Sequence, residues 1–403
     1  MQRLRLIVLL VVAAFAALLA LAQIASARDP GRWILTGASS VGDDYWQGLT
    51  SDPSESNIFL VGIFQGLWRT TPQLVQTAGV DQEIPADLTQ SVGYNHIGDP
   101  TWLNGEGGRI VLPMECFNPG ANPSNTCGRG AFAIADPRTL TFRYYVQLDP
   151  AFIPKAMWAE TSPNGKLIWT SAGDDLLAYN ASQVSEANAA PSGPELVPAR
   201  RLRGAVPSTG VTGAVFRKHR LLLAGESNHT YQVWAVDTRT GERKLELEMH
   251  ICGESEGLGL ISTLGGRLHW LIAPADSGCE LTYGPTSALL HFRRSPGRER
   301  YHVAVNDVLE GIQVGSSERQ IQVKARVRRP DGRPIQGANV RFAGAHARTN
   351  RHGRATVSTT LETPGRFAVL ARKQTRYGIS SLIGIDIPDT ASGSRPPARF
   401  RSG

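Results

Sequence analysis

The sequence predicts an all-β chain: a β-propeller of repeated four-stranded units, then a smaller antiparallel β-sandwich, behind an apolar N-terminal leader. Three observations carry this. Turn formers are abundant, with 42 Gly and 25 Pro among 403 residues, which excludes a coiled coil, a long helical bundle and a mostly disordered chain. A hairpin pattern recurs every 44–58 residues between about 47 and 272. From Gln320 onward the texture changes to period-2 alternation, the mark of strands with one buried face.

The leader comes first. Arg3 and Arg5 precede an unbroken apolar run over 6–22, and Ala25, Ser26 and Ala27 follow before the charged Arg28 and Asp29. A basic start, an apolar stretch and a small-residue cleavage site describe a secretory signal peptide over 1–27. Seventeen apolar residues also sit at the lower limit for a membrane span, so an uncleaved anchor is the alternative. The mature chain is expected to be secreted or attached to the cell envelope. Its four cysteines, Cys116, Cys127, Cys252 and Cys279, are then expected to form disulfides. Three pairings are open. The local one closes loops of 11 and 27 residues, each bridge contributing roughly 3 kcal/mol by loop entropy. No C-x-x-C spacing supports a zinc site.

The repeat occupies 35–312. Segments starting near 47, 99, 157, 212 and 256 each read as a small-residue strand, a tight turn, then a more apolar strand. Stretches beginning at Ala131, Asp175 and Tyr231 read as third strands. One such unit cannot bury both faces, and stacking units around an axis supplies the missing partners. Five units are visible. With the segments at Arg32 and Tyr301 available for another blade, six blades are expected, five or seven remaining open. The stretch from Val184 to Ala190 is the most tolerant of helix, and Pro191 ends it. Glu256, Gly257 and Leu258 followed by Gly266, Leu268 and Trp270 resemble the blade signature of secreted six-bladed propellers of the NHL, gluconolactonase and phytase/esterase kinds. That resemblance implies a metal at the Glu256 position, but the Asn and Asp ligands of later blades have no clear counterparts.

The C-terminal module is expected over 318–388. Its strands are separated by turns at Pro330 to Pro334, Asn350 to Gly353 and Pro364 to Arg366. The run from Asp331 to Val340, with Thr349, Gly353, Arg354, Ala355, Pro364 and Gly365, resembles bacterial Ig-like and carboxypeptidase-regulatory-like domains. The resemblance implies a spacer or binding module without catalysis of its own. Residues 389–403 are rich in Ser, Gly, Pro and Arg and are expected to form a disordered basic tail.

In a propeller the first strand of each blade lines the central channel, which makes its polar residues the candidates: His96, Asp99, Glu160, Glu254 and Glu256. Converging carboxylates could hold Ca²⁺, with Glu254 and Glu256 alternating on one strand as the metal pair, or act as acid and base. Set against this, such groups can satisfy backbone N–H groups at strand ends. Ser255 stands in a G-x-S-x-G string, but no helix follows it as a nucleophile elbow requires. No P-loop, H-E-x-x-H or dinucleotide fingerprint is present. The tryptophans recur on blade strands as packing residues or a sugar platform, and they lack the repeated docking signature of a quinone-dependent dehydrogenase.

The expectation is therefore a non-catalytic, envelope-associated binding protein, with no certain cofactor. The alternative is a Ca²⁺-dependent lactone or ester hydrolase working in the channel. The net charge of +7 divides sharply. Residues 28–318 carry 23 basic and 31 acidic groups, whereas 319–403 carry 17 and 4. Outside the cell the basic half suits an anionic wall polymer or lipid headgroups rather than nucleic acid. Docking on the acidic half of its own chain is the plainer alternative.

Overall fold

The computed structural model describes residues 33–42, 44–62, 64–105, 107–274, 283, 286–312 and 319–385. The leader, Cys279 and the basic tail lie outside them. The chain enters with β1 (Trp33–Ser40). The first blade follows as β2 (Gly48–Ser51), β3 (Ile58–Val61), β4 (Leu67–Thr70) and β5 (Gln76–Val80), hydrogen-bonded in that order. A short helix, α1 (Ala86–Ser91), which the hydrophobic pattern does not announce, leads into the second. There β6 (His96–Ile97) and β7 (Thr101–Leu103) both pair with β8 (Arg109–Glu115), followed by β9 (Ala131–Ala135) and β10 (Phe142–Gln147).

The third blade is β11 (Glu160–Thr161), β12 (Leu167–Ala172), β13 (Asp175–Asn180) and β14 (Arg200–Leu202). Between its last two strands, where helix was tolerated, lie two single 3₁₀ turns, Ala181–Gln183 and Glu186–Asn188. The fourth blade is β15 (Gly213–Arg217), β16 (Arg220–Ser227), β17 (Thr230–Asp237) and β18 (Arg243–His250). The fifth has β19 (Glu254–Leu260), β20 (Leu268–Ala273) and β21 (Ala288–Arg294), and β1 supplies its fourth strand.

The inner strands β2, β7, β11, β15 and β19 touch in sequence, and β19 returns to β2. The ring thus closes with five sheets among the described residues, not the expected six. The discrepancy has a simple source. The segment at Trp33 completes the fifth blade instead of founding another, and the segment at Tyr301 belongs to the C-terminal module. The five anticipated hairpins are the first and second strands of the five blades, and the three anticipated third strands are β9, β13 and β17. Asp136, directly after β9, and Asp237, the last residue of β17, cap the turns that follow, accepting from the backbone of Arg138 and Thr139, and of Arg239 and Thr240. Trp33, Trp158, Trp169 and Trp270 are fully buried between sheets, so these four serve packing.

The module has two layers. One is β23 (His302–Ile312), β24 (Arg319–Arg328) and β27 (Arg354–Leu361). The other contains β22 (Arg298–Glu299), β25 (Asn339–Phe342), β26 (Ala345–Arg348), β29 (Leu370–Lys373) and β30 (Arg376–Ile379). Ile321, Val323, Val340, Phe342, Val357 and Ala371 share one buried cluster between the layers. Because β23 pairs with β24 along its length, the boundary falls near residue 300 rather than between 312 and 318.

Two further strands, β28 (Gly365–Phe367) and β31 (Ile383–Ile385), extend the fifth blade outward from β1. Gly37 makes this possible, since a Cβ there would lie 2.6 Å from the Phe367 ring. The same buried cluster runs on into Leu271, Leu289, Leu49 and Leu60 of the propeller, so the two halves share a core. Among the described residues no helix is long and apolar enough to cross a membrane.

Candidate functional site

Asp99 stands where the five inner strands meet. Its backbone joins the third blade, donating to the Met157 carbonyl at 3.0 Å and accepting from Ala159 N–H at 2.9 Å. Its carboxyl accepts three backbone N–H groups: Leu49 of the first blade on Oδ1 at 2.9 Å, then Ala214 of the fourth and Leu258 of the fifth on Oδ2 at 3.0 and 3.2 Å. Burial raises its pKa well above the usual carboxylate value, with Glu160 adding to the push and the three amides opposing it. Gly257 permits the crowding, because a Cβ there would come within 2.5 Å of both Asp99 Oδ1 and the Gly48 Cα. The axis is therefore plugged by one residue of the second blade whose carboxyl reaches three further blades and whose backbone reaches the remaining one.

At the N-terminal end of the inner strands lies a buried row of polar side chains. Gln47 Nε2 donates to Glu256 Oε2 at 2.8 Å, and Gln47 Oε1 meets His96 Nε2 at 3.1 Å. His96 Nδ1 meets Glu115 Oε1 at 2.9 Å, and Asn125 Nδ2 donates to Glu115 Oε2 at 3.0 Å. Each member is at most 9% exposed. Burial pushes the Glu115 pKa up, but the bonds from His96 and Asn125 outweigh it and hold the carboxyl below its ordinary value. Glu256 is the opposite case: burial, then Glu254, Asp99 and Glu226, push it well up. The row ends beside the Cys116–Cys127 disulfide, one of the two bridges expected. The other involves Cys279 and lies outside the described residues.

Past Asp99, toward the C-terminal ends of the inner strands, a cavity of about 160 Å³ opens. Glu160, Thr101, Thr50, Ser51 and Thr161 supply its polar lining, with Trp102 and Leu49 among its apolar walls. Glu160 accepts from Thr101 Oγ1 at 2.8 Å and from Phe216 N–H at 2.7 Å. Burial raises its pKa to about 7. The buried Thr161 hydroxyl has no hydrogen-bond partner among the described residues. Among the described residues no basic side chain lines the recess.

The structure thus separates the five candidates. His96 and Glu256 are joined through Gln47, Asp99 lies at the centre, and Glu160 faces the opposite cavity. Glu254 and Glu256 were expected on one strand face. A bulge between Ser255 and Leu258 breaks that register, and Glu254 is exposed while Glu256 is buried. Among the described residues no three His, Cys, Asp or Glu side chains gather as a metal site would require. Ser255 is fully buried, bonded to Thr212 Oγ1 and Trp270 Nε1, on a strand and not at an elbow. Gln47, Glu115, Asn125, Thr101 and Thr161 were not anticipated. Only the position of Gln47 and Thr101 at blade onsets could have flagged them.

No family model matches the chain, and no curated protein sequence does. Solved structures with an overall likeness include glutaminyl cyclase of Myxococcus xanthus, with 12% identity, 66% of this chain and 98% of that one covered, and a TM-score of 0.39. A luciferin-regenerating enzyme shares 9% identity over 63% and 94%, at a TM-score of 0.41. The aldose sugar dehydrogenase of Streptomyces coelicolor shares 9% over 65% and 98%, at 0.34. The propeller assignment rests on the strand order and closed ring described above, and these likenesses add nothing on activity.

Proposed function

We propose that the chain is an exported, envelope-associated binding protein whose propeller holds a small ligand in the Glu160 cavity and performs no chemistry there. One observation carries this reading. Asp99 and Glu256 do not reach the recess, whereas Glu160, though bonded to Thr101 and to Phe216 N–H, lines it together with the hydroxyls of Thr50, Ser51, Thr101 and Thr161, so polar groups face open volume there. Its lining is rich in acceptors and hydroxyls and has no cation, which suits a small ligand that donates hydrogen bonds, such as an amine or a polyol. Export is supported by the leader pattern over 1–27 and by the Cys116–Cys127 bridge. The C-terminal module, Ig-like by resemblance, serves as the surface contact.

The test is a thermal-shift screen of the purified chain against small amines, amino acids and sugars. A ligand that raises Tm for the wild type but not for Glu160→Gln is expected. Turnover of a lactone or ester that is lost with a chelator and restored by Ca²⁺ would instead establish the hydrolase.

A further inference from the structure

We propose that the outer face of the β23–β24–β27 sheet docks a linear phosphate-bearing polymer, held by Arg326, Arg328 and Arg354. The choice of an extracellular polymer rests on the exported reading; the surface itself does not. Arg326 and Arg328 alternate with the buried Ala325 and Val327 on β24, so both guanidinium groups leave by the outer face. Arg326 stands directly opposite Arg354 on β27 and Ala304 on β23, and Arg328 stands opposite His302.

Like charges directly across a sheet destabilise it, and no ion pair neutralises these three among the described residues. The acids of the neighbouring strands are engaged elsewhere: Asp307 pairs with Lys324 at 3.0 Å and Glu310 with Arg319 at 2.5 Å. Nε of both Arg326 and Arg328 is buried without a hydrogen-bond partner among the described residues. Partial desolvation, then the charges of Arg328 and Arg354, lower the Arg326 pKa. Arg351, exposed in the turn before β27, adds charge at the same end. The resolved ion pairs of the module's basic side chains, Arg319–Glu310, Lys324–Asp307 and Arg333–Asp331, stay within the module, which argues against neutralisation by the acidic propeller.

Residues two apart on a strand are about 6.6 Å apart and neighbouring strands about 4.8 Å apart, so the three forks form a compact triangle able to grip successive phosphates bidentately. The adjoining Ala304 and Thr356 are short. Among the described residues the exposed large apolar side chain of this sheet, Leu309 opposite Gln322, stands alone five residues along β23 from Ala304, too little to insert into a bilayer. A chain-like polyanion therefore fits this face better than a lipid surface.

The probe is short-chain inorganic polyphosphate, with the full chain titrated at several salt concentrations. Wild-type binding should weaken steeply with salt. The triple variant Arg326→Gln, Arg328→Gln, Arg354→Gln should bind at least about tenfold more weakly and lose about three from the log–log salt slope. Arg138→Gln with Arg239→Gln on the propeller serves as the control and should bind like wild type, as should Glu160→Gln. An unchanged triple variant, an equal loss in the control, or stronger binding to phosphatidylglycerol vesicles or duplex RNA than to polyphosphate overturns the proposal. If the triple variant unfolds, Arg354→Gln alone should still lower the slope by about one. Polyphosphate binding by a chain that amino-terminal sequencing finds uncleaved in the cytoplasm keeps the surface and removes the exported reading.

Discussion

Two buried polar devices set the behaviour of single residues. Asp99 accepts from three buried backbone amides of the inner strands. Asp99→Ala should therefore cost at least about 3 kcal/mol, since each stranded buried N–H costs about 1–3 kcal/mol. Asp99→Asn also turns an N–H₂ toward an N–H. Urea midpoints compared with wild type test both, and a loss below 1 kcal/mol for Ala would show the amides finding water. The second device is a chain of three groups across strands β20, β21 and β1 of the fifth blade. His269 Nε2 donates to the Ile261 carbonyl at 2.7 Å, leaving its Nδ1 to accept from His291 Nδ1–H at 2.8 Å. His291 Nε2 then accepts from the Ser39 hydroxyl at 2.8 Å. The two links in which a ring nitrogen accepts require neutral rings, and burial lowers the His269 pKa to about 4 and holds His291, with His269 adding to the push, well below its ordinary value. The unfolded chain, with ordinary histidines near 6.5, binds more protons below that pH. Stability is thus fully present above about pH 6.5 and is lost as pH falls toward 4. His269→Gln with His291→Gln should flatten the unfolding midpoint against pH in that window, whatever it does to the absolute value.

At the scale of elements, three of the five inner strands, β2, β15 and β19, carry glycine where they converge on one carboxyl. Gly257→Ala forces a methyl against Asp99 and Gly48 and should cost at least 1–3 kcal/mol, the usual range for overpacking. It should also disturb the Asp99 amides. Hydrogen exchange at Leu49, Ala214 and Leu258 would rise, whereas an alanine on an outer strand would leave those amides protected. The hairpins and third strands were legible because apolar runs and Gly-Asn or Asp turns are local signals. The candidate acids were legible as onset residues for the same reason. Their grouping was not, since a bulge at Ser255, a glutamine between His96 and Glu256, and a threonine beside Glu160 depend on contacts between blades. The blade number failed similarly: Trp33 reads as a strand, but nothing local says that its partner is Arg294.

On the scale of the whole molecule, β1 is shared. It completes the fifth blade on one edge and receives β28 on the other. Removing 297–385 would bare the outer edge of β1 and the apolar face of Leu271 and Leu289. The truncated propeller should lose several degrees of Tm and gain dimers or aggregates, since an unpaired edge recruits other strands. A monomeric fragment of unchanged Tm would show that the shared cluster adds little. The division of charge has a matching logic: the halves adhere through apolar contact and backbone pairing, and the basic face is left outward.

The double pairing of β1 also decides how the molecule carries tension. Hydrogen bonds in antiparallel pairs lie across the strand direction. A pull on the segment before Trp33, along the strand, loads the bonds to β21 and β28 together as a shear clamp. A pull from beyond Ile385 peels β31 from β28 one bond at a time. In single-molecule force spectroscopy, a handle at the N-terminal side should hold to markedly higher force than one at the C-terminal side. A protein tethered at its start and gripping a polymer with its last module would place its strongest seam where the tether enters.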